Sequence, residues 1–164
     1  MPAHGSLLLT DLYQLTMLQS YLDEGMEEEA VFEFFARRLH KQRNYLLAAG
    51  LEPLLDFLEH AQFKAEEVKY LHRLGKFKDN LIQYLQGFRF KGQIDAMPEG
   101  TVFFAEEPII RITTSLPQAQ LIETRLINLL QYSCMILTKA ARCVSVAPGK
   151  LLVDFGLRRA HGAE

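Results

Sequence analysis

PQAQLIETRLINLLQYSCMILTKAARCVSVAPGKLLV, residues 117–153, is the stretch on which the reading of the fold turns. Pro117 opens a long helical segment that runs to about Val146. Its apolar residues, Leu121, Ile122, Leu126, Leu129 and Leu130 among them, cover most of the circumference, which predicts a central helix buried on most sides. Pro148-Gly149 ends it, and Leu151-Leu152-Val153 follows as a short continuous apolar run. Helix, tight turn and fully apolar strand is the pattern of an α/β unit with a buried parallel strand. The chain ends soon after, at Glu164. A single parallel strand has no partner, so the sequence reads as open-ended at its C-terminus.

Upstream, Thr10 and Asp11 are candidate caps for a helix to about Asp23, with Gly25 as its stop. Ala30 to Arg37, rich in Val and Phe, reads as a strand, and Asn44 to Ala49 as a short loop or strand. Apolar spacing predicts helices over 52–60, 65–74 and 78–85. Strands are then expected at Phe88–Ile94, Thr101–Phe104 and Ile109–Thr114, punctuated by Pro98-Glu99-Gly100 and Glu107-Pro108. The expected fold class is α/β: an α+β N-terminal domain over 1–115, then the long helix and the first strand of an incomplete α/β barrel over 116–164.

Composition removes several classes of function. Hydrophobic residues make up 49% and charged residues 23%, the balance of a globular chain. A net charge of −2 gives no electrostatic reason to expect nucleic acid or an anionic membrane as partner. No apolar run has the length of a membrane span, and the N-terminus lacks the basic segment of a secretory signal. Cys134 and Cys143 show no CxxC spacing and fit a reducing cytoplasm. The histidines show no metal-ligand spacing, so no metal site is expected.

The richest candidate site is Asp154-Phe155-Gly156-Leu157-Arg158-Arg159-Ala160-His161-Gly162, directly after the expected strand. Ligands of α/β proteins gather at the carboxyl ends of strands. The cluster offers an aromatic face, a glycine for close backbone approach, and guanidinium forks that match phosphate or carboxylate oxygens. A solvated arginine pair on a loop, with Phe155 in the core, explains the same residues. Arg37-Arg38, with His40, Lys41 and Arg43, form a second basic group that composition alone reads as a solvated loop. Tyr13, in the first turn of the first helix, is by itself an ordinary half-buried tyrosine.

Several segments also resemble nicotinate phosphoribosyltransferases, in that family's order. They are Thr10–Met17 (TDLYQLTM), Phe34–Leu39 (FFARRL), Tyr45–Glu52 (YLLAAGLE), Pro98–Val102 (PEGTV), Leu121–Thr124 (LIET), Thr138–Arg142 (TKAAR) and Asp154–Ala160 (DFGLRRA). The resemblance covers nearly the whole chain. It implies a reaction that joins nicotinate to phosphoribosyl pyrophosphate, yielding nicotinate mononucleotide and pyrophosphate. ATP hydrolysis is coupled through a phosphorylated histidine, with Mg²⁺ supporting the phosphate chemistry, in a cytoplasmic homodimer whose active sites are shared between subunits.

By the same resemblance, Tyr13 reaches nicotinate from the partner subunit and Phe155 stacks on the pyridine ring. Arg158 binds phosphate as the catalytic candidate, Arg159 supports it, and Arg37 contacts the phosphoribosyl donor or pyrophosphate. The family's phosphorylatable histidine falls beyond Glu164, so none is expected in this chain, and His161 does not match its position. The chain alone is therefore expected to be inactive. The alternatives are a nicotinamide-specific relative, and a non-catalytic binding or dimerisation module built on the same fold.

Overall fold

The computed structural model describes residues 5–160. Helix α1 spans Leu12–Glu24, and Gly25 closes it in the left-handed conformation at φ 67°. Asp11 occupies the predicted N-cap, but its carboxylate makes no capping bond; main chain closes the turn, with Gln14 N–H donating to the Asp11 carbonyl at 3.0 Å. The remaining elements are β1 (Glu29–Phe35), β2 (Leu46–Leu47), α2 (Leu51–Glu59), α3 (Ala65–Leu74), α4 (Asp79–Gln86), β3 (Gly92–Ala96), β4 (Val102–Phe103), β5 (Pro108–Ser115) and α5 (Leu116–Val146).

The strands form two antiparallel sheets, one ordered β1-β5-β3 and one of β2 with β4. The register pairs Phe32 with Ile112 and Phe34 with Ile110, placing these apolar side chains on the face turned to the core. On the other face Glu33 sits opposite Arg111, whose guanidinium reaches the carboxylate at 2.8 Å. Helices together with antiparallel sheets make the described fold α+β, as expected for its N-terminal part.

The chain departs from the sequence reading in three places. The run Leu151–Val153, expected to be a buried parallel strand, has no regular structure and is exposed. A strand exists only through its ladder bonds, and among the described residues no strand edge lies alongside it. The strand expected at Phe88–Ile94 starts later, at Gly92. Phe88 instead packs into the helical layer, edge-on to Phe63 with ring centroids 6.3 Å apart. Helix α5 has the predicted length but is not buried all round. Its first turns are, through Pro117, Ala119, Leu121 and Ile122; beyond them the buried positions Ile122, Leu126, Leu130, Cys134 and Thr138 recur every fourth residue. That spacing draws a single stripe, and Ile136, Val144 and Val146 lie outside it in solvent.

Helix α2 meets α5 beside this stripe at Gly50, the left-handed residue before its first turn, at φ 96°. A Cβ on Gly50 would lie 2.9 Å from the Leu129 carbonyl oxygen and 3.0 Å from Ser133 Cβ, so only glycine allows the approach. Gly25 has a similar backbone but open space around it. Gly50→Ala should therefore cost about 3 kcal/mol or more, from left-handed strain plus overlap, and Gly25→Ala only about 1 kcal/mol. Urea unfolding of the two variants measures the difference; equal losses would show that α2 and α5 do not approach this closely.

Candidate functional site

The segment that supplies the arginines lies at the far end of α5. Asp154 starts a tight turn by accepting the Gly156 N–H at 2.5 Å through Oδ1, and Leu157–Arg159 form one 3-10 turn. Phe155 is 85% exposed, and the two arginines are also exposed. Phe155 therefore does not occupy a core position. His161 and Gly162 lie outside the described residues.

Arg37 and Arg38 follow β1 directly, where the strand leaves the sheet. They form the exposed basic rim of a cavity of about 800 Å³ between the three-stranded sheet and α5. Its walls are mostly apolar, with Phe32, Phe34, Ile110 and Ile112 from the sheet and Ile122, Leu126 and Cys134 from the helix, and they also include Glu33, Glu123 and Gln131. A second hollow of about 800 Å³ runs beside it, between the loop after β1 and the C-terminal half of α5. Arg38, His40, Arg43, Lys139 and Arg142 line it, and among the described residues no carboxylate does. Thr138 braces its wall by accepting the Leu47 N–H at 2.9 Å and donating to the Cys134 carbonyl. Arg142 donates to the Gln42 carbonyl at 3.0 Å, tying helix to loop. Cations gathered without an anion favour a polyanionic occupant, and Arg38 belongs to both hollows.

Tyr13 lies on the outward side of α1, 52% exposed, beside exposed Leu9, Leu12 and Met17. Its hydroxyl oxygen accepts from Gln14 Nε2 at 3.1 Å. The structure thus places Arg37 at the first hollow only, next to Arg38 which lines both, and Tyr13 and the Phe155–Arg159 segment line neither. Among the described residues no three His, Cys, Asp or Glu side chains gather to hold a metal ion. The sequence reading missed the trough residues Lys139 and Arg142 and the buried amides Gln14 and Gln120. The amides carried a signal, since each interrupts an apolar stripe at helical spacing: Gln14 stands one turn before Leu18, and Gln120 beside Leu121.

Cys134, in the wall of the first hollow, is held between the N–H and carbonyl of Ala49, each 3.4 Å from Sγ. Burial pushes its thiol above the ordinary value of 9.0. A raised value means that the folded chain keeps the proton longer than the unfolded chain, so stability falls as pH rises past that ordinary value. Tyr84, pushed by burial to about 12, acts in the same direction at higher pH. Denaturation midpoints should decline from about pH 8.5 upward, and Cys134→Ala should flatten the first part of that decline. A thiol reagent at neutral pH should label exposed Cys143 and spare Cys134; equal labelling would show that the wall is open.

Residues 8–131 match the family described as the nicotinate phosphoribosyltransferase N-terminal domain. A nicotinate phosphoribosyltransferase of Mycobacterium tuberculosis is 44% identical over 161 residues, covering 98% of this chain and 35% of the relative. The Bacillus subtilis enzyme of the same name is 41% identical over 155 residues, covering 94% of this chain and 32% of its own length. The crystal structure of human nicotinic acid phosphoribosyltransferase superposes with a TM-score of 0.84 at 33% identity, over 94% of this chain and 32% of that one. The chain spans about a third of the length of the relatives it matches.

Proposed function

The chain belongs to the nicotinate phosphoribosyltransferase family through its N-terminal domain, and on that premise we propose that it supplies the donor-binding and ring-binding parts of a site that makes nicotinate mononucleotide from nicotinate and phosphoribosyl pyrophosphate. The observation that carries this reading is the trough of Arg38, His40, Arg43, Lys139 and Arg142, a cationic hollow with no carboxylate in its lining among the described residues. Phosphoribosyl pyrophosphate is a polyanion, and pyrophosphate departure concentrates charge on its oxygens. Guanidinium groups fixed beforehand stabilise that charge as it develops. Arg37, on the rim shared with Arg38, extends the same field.

Phe155, Arg158 and Arg159 are proposed to form a second wall, the ring stacking on the pyridine and Arg158 gripping a phosphate. Their exposure supports this reading, because an aromatic ring and two arginines left open are free to meet a ligand. Tyr13 would complete the nicotinate pocket of a second copy in a cytoplasmic homodimer, with its apolar neighbours Leu9, Leu12 and Met17 at the contact. Mg²⁺ prefers oxygen ligands, and the described residues gather no cage of them, so the ion would be carried by the donor's phosphates. The ATP-coupled step has no histidine proposed for it in this chain. The segment from residue 116 onward would lead from this domain into an α/β barrel.

Two measurements test the reading. Calorimetry with inorganic pyrophosphate should show salt-sensitive binding to the chain, weakened roughly three- to tenfold by Arg43→Ala, Lys139→Ala or Arg142→Ala. Binding indifferent to all three would remove the trough from the site. Residues 5–160 grafted in place of the matching segment of the Bacillus subtilis enzyme should give an active chimera, while the chain alone forms no nicotinate mononucleotide. In that chimera Phe155→Ala should raise the nicotinate KM by about 1–3 kcal/mol in equivalent binding energy. Arg158→Lys should not restore what Arg158→Ala loses, since a point charge does not replace a planar fork.

A further inference from the structure

Between α1 and α5 lies a chain of polar side chains in an otherwise apolar contact. Gln14 is fully buried and Gln120 is 5% exposed. Gln14 Nε2 stands 2.9 Å from Glu123 Oε2, 3.1 Å from Tyr13 Oη and 3.2 Å from Thr124 Oγ1. Gln120 Nε2 donates to Gln14 Oε1 and, at 3.1 Å, to Glu123 Oε2. Tyr21 Oη donates to Gln120 Oε1 at 3.3 Å.

The directions of these bonds are not interchangeable. An ionised carboxylate only accepts, so both amides must turn their nitrogens toward Glu123. Gln14 then offers its oxygen to Gln120 and its second N–H to the oxygens of Tyr13 and Thr124. An amide nitrogen accepts nothing, so the Tyr13 hydroxyl proton has no partner on that side and faces outward. We propose that Glu123, acting through Gln14 and Gln120, sets the polarity of the Tyr13 hydroxyl and holds it as a hydrogen-bond donor to an oxygen of the ligand, a carboxylate by preference. The inference rests on the reading that Tyr13 contacts substrate. It adds that Gln14, Gln120 and Glu123 are positioning residues, and that Tyr13, whose hydroxyl oxygen already accepts from Gln14, discriminates by donating outward. A carboxylate presents acceptors in both of its positions, whereas a carboxamide presents one acceptor and one N–H.

Exchanging the two partners tests the polarity apart from the packing. In the double variant Gln14→Glu/Glu123→Gln, one carboxylate and one amide remain in contact, but the anion now abuts Tyr13. The Tyr13 proton should turn inward to it. With ¹³Cζ-labelled tyrosine, and the resonance assigned by its loss in Tyr13→Phe, the Tyr13 signal should move downfield in the double variant while thermal stability recovers from the loss in Gln14→Glu alone. Glu123→Gln, which keeps the shape, should broaden or split the signal as the amides lose their fixed direction. This variant decides the matter should the double variant fail to fold. A Tyr13 signal at its wild-type position and width in Glu123→Gln, or in a folded double variant, overturns the proposal.

Nicotinate added to the active chimera, which holds the rest of the site, should move the Tyr13 signal downfield, and nicotinamide should move it less. If nicotinate leaves it unmoved while the variants behave as expected, the substrate role of Tyr13 fails and the polarity assignment stands.

Discussion

Both sheets and helices α1 and α2 lean on one stripe of α5. Ile122, Leu126, Leu130, Cys134 and Thr138 present a line of side chains four residues apart. The sheet closes over the upper part of that line, β2 is pinned to its lower end by the Thr138 hydroxyl, and α1 and α2 flank it. A helix 31 residues long extends further than the small sheets that cover it. Its buried and exposed parts are therefore set by what can reach it, and the hollows form where the cover is incomplete. The basic trough is one such place: the loop after β1 is tied to α5 through Arg142 and its groove is left open.

Several of the segments that resemble the family turn out to meet in space for structural reasons. The turn at 98–101 sits against Ala48, whose N–H donates to the Thr101 carbonyl and whose carbonyl accepts from Gly100. Gly50 is the glycine that α5 demands, and Thr138 is a brace. Sequence similarity at such positions reports packing. The segments around Tyr13, Arg37 and Phe155 differ, because their distinctive side chains point outward and no packing need accounts for them.

Element positions were legible where periodicity and punctuation agreed, as for α3 between Lys64 and Gly75 or β5 after Pro108. They were not legible where one composition suits two fates. The aromatic run at 88–90 has the residues of a strand, yet Phe88 finds its partners in Phe63 and Tyr84. Gly92 marks the true start, since a Cβ there would lie 2.7 Å from the Thr113 carbonyl oxygen, but a lone glycine does not announce such crowding. Leu151–Val153 has strand composition, but among the described residues no strand pairs with it. Of the site, the arginines were visible as charge. The trough was not, because it joins residues 38–43 to residues 139–142 across a fold that no local pattern encodes.

Glu99 takes a place that no residue near α2 fills. Its carboxylate accepts the N–H groups of Gly50 and Leu51 at 2.9 and 2.8 Å, across a sequence separation of 49 residues for the first. A helix of nine residues is marginal in isolation, and the N-cap of this one is Gly50, which has no side chain to cap with. During synthesis α2 emerges well before its cap exists. Its first turn becomes secure only when the segment carrying Glu99 has docked beside Ala48. The formation of α2 is thereby coupled to that of the β2–β4 pair, and the two halves of the sequence fold as one cooperative unit.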